Sequence, residues 1–184
     1  MELKVGIKRV VHQGEHVVSD NPDLVISTLL GSCVAACVYD PVAKVGGMNH
    51  FLLPGEDIGM FGEAGRHGAY LMEALLNGVY SIGASRDRLQ VKLFGGGSII
   101  ESTINPGKAN IEFVLRFARD ENLNVVSSSL GGNQGRRIEF NPTNGSVRQK
   151  FMTEVPVLKK AAPVKSVVNN VAEPAIAAGE LDFF

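Results

Sequence analysis

Between Leu24 and Pro54 the chain is a series of short apolar runs cut by obligatory bends, and this pattern most narrows the fold. Leu24 to Thr28 and Cys33 to Tyr39 are β-branched or apolar, and Gly31-Ser32 forces a bend between them. Asp40-Pro41 ends the second run, and Ala43 to Leu53 reads as a further buried strand stopped by Pro54-Gly55. Runs of this length bounded by turn residues read as buried strands, with a helix still open for Cys33 to Tyr39. The longest uncharged run, Leu24 to Tyr39, has 16 residues and includes Ser27, Thr28, Gly31 and Ser32. That is short of the roughly 20 apolar residues that a spanning helix needs.

Outside this block the periodicity changes. Tyr70, Leu71, Ala74, Leu75 and Val79 recur at helical spacing and predict a helix over about 66–81. Asn105-Pro106 reads as an N-cap with proline at the first helical position. Ile111, Val114, Leu115 and Ala118 supply that helix's apolar face, to about Glu121. Residues 3–19 read as strand and turn, Leu89 to Phe94 and Val125 to Ser129 as strands, and Asn141-Pro-Thr-Asn-Gly145 as the turn of a hairpin. Residues 55–65 read as a Gly-rich loop. The expected fold is therefore α+β, a mixed sheet or β-sandwich flanked by helices. A core domain over residues 1–155 precedes a tail, 156–184, rich in Ala, Val, Pro and Lys without periodicity. The tail ends in the acidic and aromatic tip Gly179-Glu-Leu-Asp-Phe-Phe184, read either as disorder or as a docking motif.

Composition excludes several classes. With 184 residues the chain can bury a real core. Its 18 basic and 19 acidic residues give a net charge of −1, which supplies no electrostatic reason for a nucleic-acid partner. Residues 1–10 lack the apolar stretch of a secretory signal. The expectation is a cytoplasmic protein without membrane insertion. Cys33 and Cys37 make no disulfide framework: in a strand, an offset of four separates them by roughly 13 Å, too far for a bridge, whereas in a helix they would sit one turn apart. Cys37 reads as core. His12 and His16 lie four apart, but on a strand and turn they make a poor metal pair, so no metal is expected. His67 reads as solvated. Gly95-Gly96-Gly97 fits neither a Walker A nor a dinucleotide fingerprint and reads as a turn packed near the site. Arg136 and Arg137 read as a steering pair or a solvated edge.

The chemistry lies in Cys33, directly after Gly31-Ser32, and His50, which closes Lys44-Val-Gly-Gly-Met-Asn-His50. A thiol attacks a carbonyl carbon as the thiolate, and a neighbouring imidazole can generate it near neutral pH. The pair implies acyl transfer through a covalent intermediate. Cysteine is also among the most buried residue types, so the pair alone does not establish catalysis.

The surrounding words do more. Leu29 to Asp40, Pro41, Lys44-Val-Gly-Gly-Met-Asn-His-Phe-Leu-Leu-Pro54, Lys92-Leu-Phe-Gly-Gly-Gly97 and Leu130-Gly-Gly-Asn-Gln-Gly-Arg-Arg-Ile-Glu-Phe140 occur in the order seen in the CheD family, the chemoreceptor glutamine deamidases. The chain resembles that family over about residues 5–155, with Asn49 where alanine is common. The resemblance implies a fold similar to that of the cytotoxic necrotising factor deamidase domain. It implies Cys33 as nucleophile and His50, seventeen residues later, as its base. It also implies a hydroxyl six residues before the cysteine. Threonine is the family residue there, whereas this chain has Ser27 with Thr28 beside it. Successive strand residues face opposite ways, so only one can face Cys33, and Ser27 is the expected one. Backbone N–H groups around Gly31 and Ser32 are the expected oxyanion donors. The implied substrates are methyl-accepting chemotaxis receptors, with a CheC-type phosphatase as second partner and no cofactor. Two other readings stand beside this one. One is an adaptor of the same fold that has lost activity; the other is a Cys-dependent esterase or protease.

Overall fold

The computed structural model describes residues 6–53, 62–99 and 105–152. The strands are β1 (Ile7–Val10), β2 (His16–Ser19), β3 (Leu24–Leu30), β4 (Val34–Asp40), β5 (Val45–Asn49), β6 (Gln90–Gly95), β7 (Val125–Leu130), β8 (Arg136–Phe140) and β9 (Val147–Phe151); the helices are α1 (Glu63–Ser81) and α2 (Pro106–Asp120). One sheet runs β1-β3-β8-β9 and the other β2-β5-β4-β6-β7. Both are mixed: β1 lies parallel to β3 and β7 to β6, and the other pairings are antiparallel. This is the expected α+β class. The expected 156–184 tail and most of the 55–65 loop lie outside the described residues.

Three layers result, and β4 is the middle of the stack. Its Val34, Ala36 and Val38 pack with α1 and α2, including Leu71, Leu75, Phe113 and Phe117. Its Ala35, Cys37 and Tyr39 face the other sheet, where Ile26, Leu30, Ile138 and Phe140 meet them. Every residue of β4 is buried, as its unbroken apolar run requires. Cys37 is core, and burial pushes its thiol far up. Both cysteines are free.

The helices sit rotated from the expected faces. α1 begins at Glu63 and buries Leu71, Met72, Leu75, Leu76 and Val79, while Tyr70 is 67% exposed. In α2 the Asn105 side chain accepts from the Lys108 backbone N–H at 3.1 Å, as the N-cap reading requires. Its buried stripe is Asn110, Phe113, Val114 and Phe117, and Leu115 is exposed. Two phenylalanines bury more apolar surface than Leu115 and Ile111, and Phe113 meets Phe51 edge-on at 5.8 Å. Arg136 is neither a steering group nor a solvated edge. It is 1% exposed and donates to the Ser129 carbonyl at 2.6 Å and to the Gly131 carbonyl, so it ties β8 to the end of β7.

Asp40 closes β4. Its buried carboxylate accepts from the backbone N–H groups of Val42, Ala43 and Ser85 and from the Arg88 guanidinium at 2.8 Å. Burial alone would raise this carboxyl, but Arg88 and the three N–H groups hold it well below the usual carboxylate range. Removing it strands three donors. We expect Asp40→Ala to cost about 2–4 kcal/mol in urea unfolding. A carboxyl depressed in the folded state stabilises above its ordinary value of 3.8 and loses that contribution as pH falls further. The variant should therefore also lose part of the acid sensitivity, and an unchanged midpoint at neutral pH would refute the assignment.

Candidate active site

The site forms where the two sheets meet, between β3 of one and the ends of β4 and β5 of the other. Past β5, Phe51 and Val34 form a doubly hydrogen-bonded antiparallel pair, with N–H to O distances of 2.9 and 3.0 Å. Continuing that register sets His50 opposite Ala35 and Cys33 opposite Leu52. Val34 and Phe51 point toward the helices. Cys33 and His50, one residue away from each, therefore point toward the other sheet, and Cys33 packs against that inter-sheet core. They are diagonal neighbours on one face, a relation that spans about 7–8 Å between backbones and lies within reach of long side chains.

The third group comes from the facing sheet. Thr28 Oγ1 lies 2.8 Å from His50 Nδ1 and donates to the Val11 carbonyl at 2.8 Å. A hydroxyl has one proton. With that proton committed to Val11, the contact to His50 must run from Nδ1–H to Oγ1. His50 is thereby fixed as the tautomer whose Nε2 carries the lone pair. That Nε2 is buried and has no hydrogen-bond partner among the described residues. Ser27, the expected partner of the site, is also buried, yet it lies with Val25 and Leu29 on the opposite face of β3. Alternation puts Ile26, Thr28 and Leu30 inward, so the hydroxyl that meets His50 is that of Thr28.

A turn over His12–Glu15 grips the same histidine. The Gly14 N–H donates to the His50 carbonyl at 2.7 Å, and the His50 N–H donates to the Glu15 carbonyl at 3.1 Å. This turn also carries Gln13, whose Oε1 accepts from the Cys33 thiol at 3.7 Å. Burial lowers the His50 imidazole from its ordinary 6.5, and His12 adds to that, against the pull of the Val11 carbonyl. Burial likewise raises the Cys33 thiol above 9.0, partly opposed by its own backbone N–H. At rest the pair is a neutral thiol and a neutral imidazole. His67 is exposed, and among the described residues no three His, Cys, Asp or Glu side chains gather as a metal site.

The bend at Gly31-Ser32 is held from behind. Gly97 N–H donates to the Gly31 carbonyl at 2.8 Å, Asn110 Nδ2 to the Ser32 carbonyl at 3.0 Å, and Gly96 N–H to the Cys33 carbonyl at 2.7 Å. The triple glycine is therefore packed against the site. Gly95, at φ +110°, has no room for a side chain, because a Cβ there would stand 2.1 Å from the Cys33 carbonyl oxygen. In a planar trans peptide the C=O and the following N–H point in opposite directions. With the Gly31 and Ser32 carbonyls held by Gly97 and Asn110, the N–H groups of Ser32 and Cys33 point away from those two partners.

Sequence reasoning missed Asn110. It is fully buried, and besides Ser32 it binds the Leu53 N–H through Oδ1 at 2.8 Å. One amide thus joins the loop before Cys33 to the segment after His50. Its signal was present: Asn110 stands at helical spacing with Phe113, Val114 and Phe117, which marks a polar residue on a buried stripe. Asn110→Asp keeps the acceptor for Leu53 and replaces the donor facing Ser32 with a second acceptor. We expect roughly 10²-fold loss of turnover with the fold retained by circular dichroism. Activity within about threefold of wild type would show that Asn110 only fills space.

The profile of the CheD chemotactic sensory transduction family matches residues 52–151, a span that begins just after His50. Full-length similarity reaches further. A protein of Agrobacterium fabrum named probable chemoreceptor glutamine deamidase CheD is 46% identical over 99% of this chain and 99% of its own. A protein of the same name from Caulobacter sp. strain K31 is 48% identical over 97% of this chain and 94% of its own. One from Rhizobium leguminosarum bv. trifolii is 51% identical over 80% and 83%. Among solved structures, Neisseria meningitidis protein NMB0706 overlays at a TM-score of 0.42 with 9% identity, covering 69% of this chain and 63% of that one.

Proposed function

The chain belongs to the CheD family, and on that premise we propose that it deamidates glutamine side chains of chemoreceptors, with Cys33 as nucleophile, His50 as base and Thr28 as the residue that orients His50. The observation that carries the reading is the placement of His50 between Thr28 Oγ1, 2.8 Å from its Nδ1, and the face that holds Cys33. Its Nδ1–H is spent on Thr28, and its Nε2 stands buried and unpartnered on the face it shares with Cys33.

The steps follow from this arrangement. As a receptor glutamine enters, His50 Nε2 takes the Cys33 proton and the sulphur bonds to the carboxamide carbon. Negative charge gathers on the amide oxygen, where the N–H groups of Cys33 and Ser32 supply hydrogen bonds. The imidazolium returns its proton to the departing ammonia. Water, deprotonated by the same Nε2, then cleaves the thioester, leaving glutamate and the free thiol. Thiol, imidazole and water supply every group the route needs. We assign methyl-accepting chemotaxis receptors as substrates and a CheC-type phosphatase as a second partner. Among the described residues no helix is long and apolar enough to cross a membrane.

The test is ammonia release with intact-mass analysis of a receptor cytoplasmic fragment. Cys33→Ala should lower turnover by more than about 10³-fold while leaving receptor binding intact. Ammonia release by the variant at the wild-type rate would remove Cys33 from the mechanism. Wild type that binds receptor and never releases ammonia would leave an adaptor.

Two further outcomes separate the roles. Thr28→Val should cost roughly 10–100-fold in turnover, whereas Ser27→Ala should leave it near wild type; the reverse order would restore Ser27 as the hydroxyl. In pH profiles, His50 must be neutral to act, so with its pKa lowered the acid limb should fall below pH 6.5. Alkylation of Cys33 by iodoacetamide should still be climbing at pH 9.0. A rate already flat at neutral pH would mean a preformed thiolate–imidazolium pair.

A further inference from the structure

Among the described residues, the side chain hydrogen-bonded to the Cys33 thiol is a glutamine. Gln13 Oε1 accepts from Sγ at 3.7 Å, so the protein's own carboxamide stands where a substrate carboxamide has to come. We propose that Gln13 is a substrate in cis, converted by Cys33 to glutamate. The proposal rests on Cys33 being the nucleophile, as set out above.

Three observations carry it. The turn bearing Gln13 is fixed to the base, because Gly14 and Glu15 bind the carbonyl and N–H of His50. The turn is itself closed by Glu15, whose carboxylate and N–H bind the N–H and carbonyl of His12. Gln13 therefore cannot diffuse from the site, and an intramolecular reactant of this kind has a very high effective concentration. The side chain itself is exposed, so it can turn without disturbing the core. The reacting atoms are already near. The carboxamide carbon lies one C=O bond, about 1.2 Å, from an oxygen that touches the sulphur. Rotation about the last side-chain bonds brings that carbon toward attack distance.

The step balances with groups on the page and water. The Cys33 proton passes to His50, the S–C bond forms, and the C–N bond breaks as His50 protonates the leaving ammonia. Water then breaks the S–C bond, leaving a glutamate side chain in place of the Gln13 carboxamide and restoring the thiol. One water is consumed and one ammonia released per chain, with no change of oxidation state. The product limits itself to one event. A carboxylate beside Cys33 disfavours the thiolate, so the modified chain carries a less reactive thiol than one with a neutral residue at that position.

The experiment is peptide mapping of the full-length wild-type protein, freshly purified and after incubation without receptor, beside Cys33→Ala and Cys33→Ser. The expected result is the amide-to-acid mass gain at Gln13 in wild type, absent from both variants. Conversion to the same extent in all three would show spontaneous loss at Gln13-Gly14 and overturn the proposal. So would an unmodified Gln13 in wild type that deamidates receptor in the same tube, an outcome that leaves the deamidase reading standing. Receptor turnover by Cys33→Ala at the wild-type rate would remove the nucleophile and both readings together. As a second readout, Gln13→Glu should be alkylated by iodoacetamide several-fold more slowly than Gln13→Ala. Equal rates would contradict contact between this side chain and the thiol.

Discussion

The backbone pair between Val34 and Phe51 is the contact on which the site depends. It extends the β4–β5 ladder past the end of β5, and so decides on which face Cys33 and His50 emerge. A slip of one residue would turn either side chain into the helix-facing core. Several independent contacts oppose that slip: Phe51 is locked against Phe113, Asn110 holds the next N–H but one, and the turn at Gly14 and Glu15 grips His50 from the far side. Asn49, where the family commonly has alanine, adds a further restraint. Its side chain accepts from the Ala36 N–H at 2.9 Å and donates to the Leu71 carbonyl, so the residue before His50 is bonded to both β4 and α1.

Much of this was legible from the residues, and the failures have physical causes. The strand runs, the Asn105 cap and the hairpin around residues 141–145 follow from local chemistry that tertiary structure left alone. Helix faces were less secure. α2 offers apolar residues on two sides, and only the demand to bury Phe113 and Phe117 settles the rotation that carries Asn110 inward. The parity of β3 is ambiguous for a similar reason, since Leu24, Ile26 and Leu30 compete with Val25 and Leu29 for the inner face. Counting back from the cysteine pointed to Ser27, whereas the pairing of Thr28 with Ile138 on β8 fixes Thr28 inward with the core. Gln13 carried no sequence signal. Its relation to Cys33 exists only because the turn before β2 folds over the end of β5.

The bend before Cys33 shows how backbone can be made into a binding group. Free peptide groups rotate, and a loop with exposed carbonyls would offer an incoming amide oxygen repulsion as often as hydrogen bonds. Here three consecutive carbonyls are satisfied by Gly97, Asn110 and Gly96. On the proposed reading, the groups left for an incoming amide oxygen are the donors of Ser32 and Cys33. The glycines let two backbones approach closely enough for those bonds, and Asn110 supplies the one that no strand neighbour can reach. The asparagine is thus less a core residue than the extension of a sheet ladder by a side chain.

The resting protonation state follows from the same burial. The ordinary values of thiol and imidazole, 9.0 and 6.5, already favour the neutral pair by about 3 kcal/mol before their mutual attraction is counted. Burial moves each further from the other. A stored thiolate would react with any electrophile that reached the cleft. On the proposed route, the neutral thiol becomes a nucleophile only as its proton moves to Nε2 and the new charge passes to an amide oxygen facing the Ser32 and Cys33 N–H groups. Reactivity then depends on a carboxamide being seated, because only a seated carboxamide gives that charge a place to go. Thr28 completes this logic. In that proposal its neutral hydroxyl, in place of a carboxylate, orients the His50 ring and leaves the pair uncharged until substrate arrives.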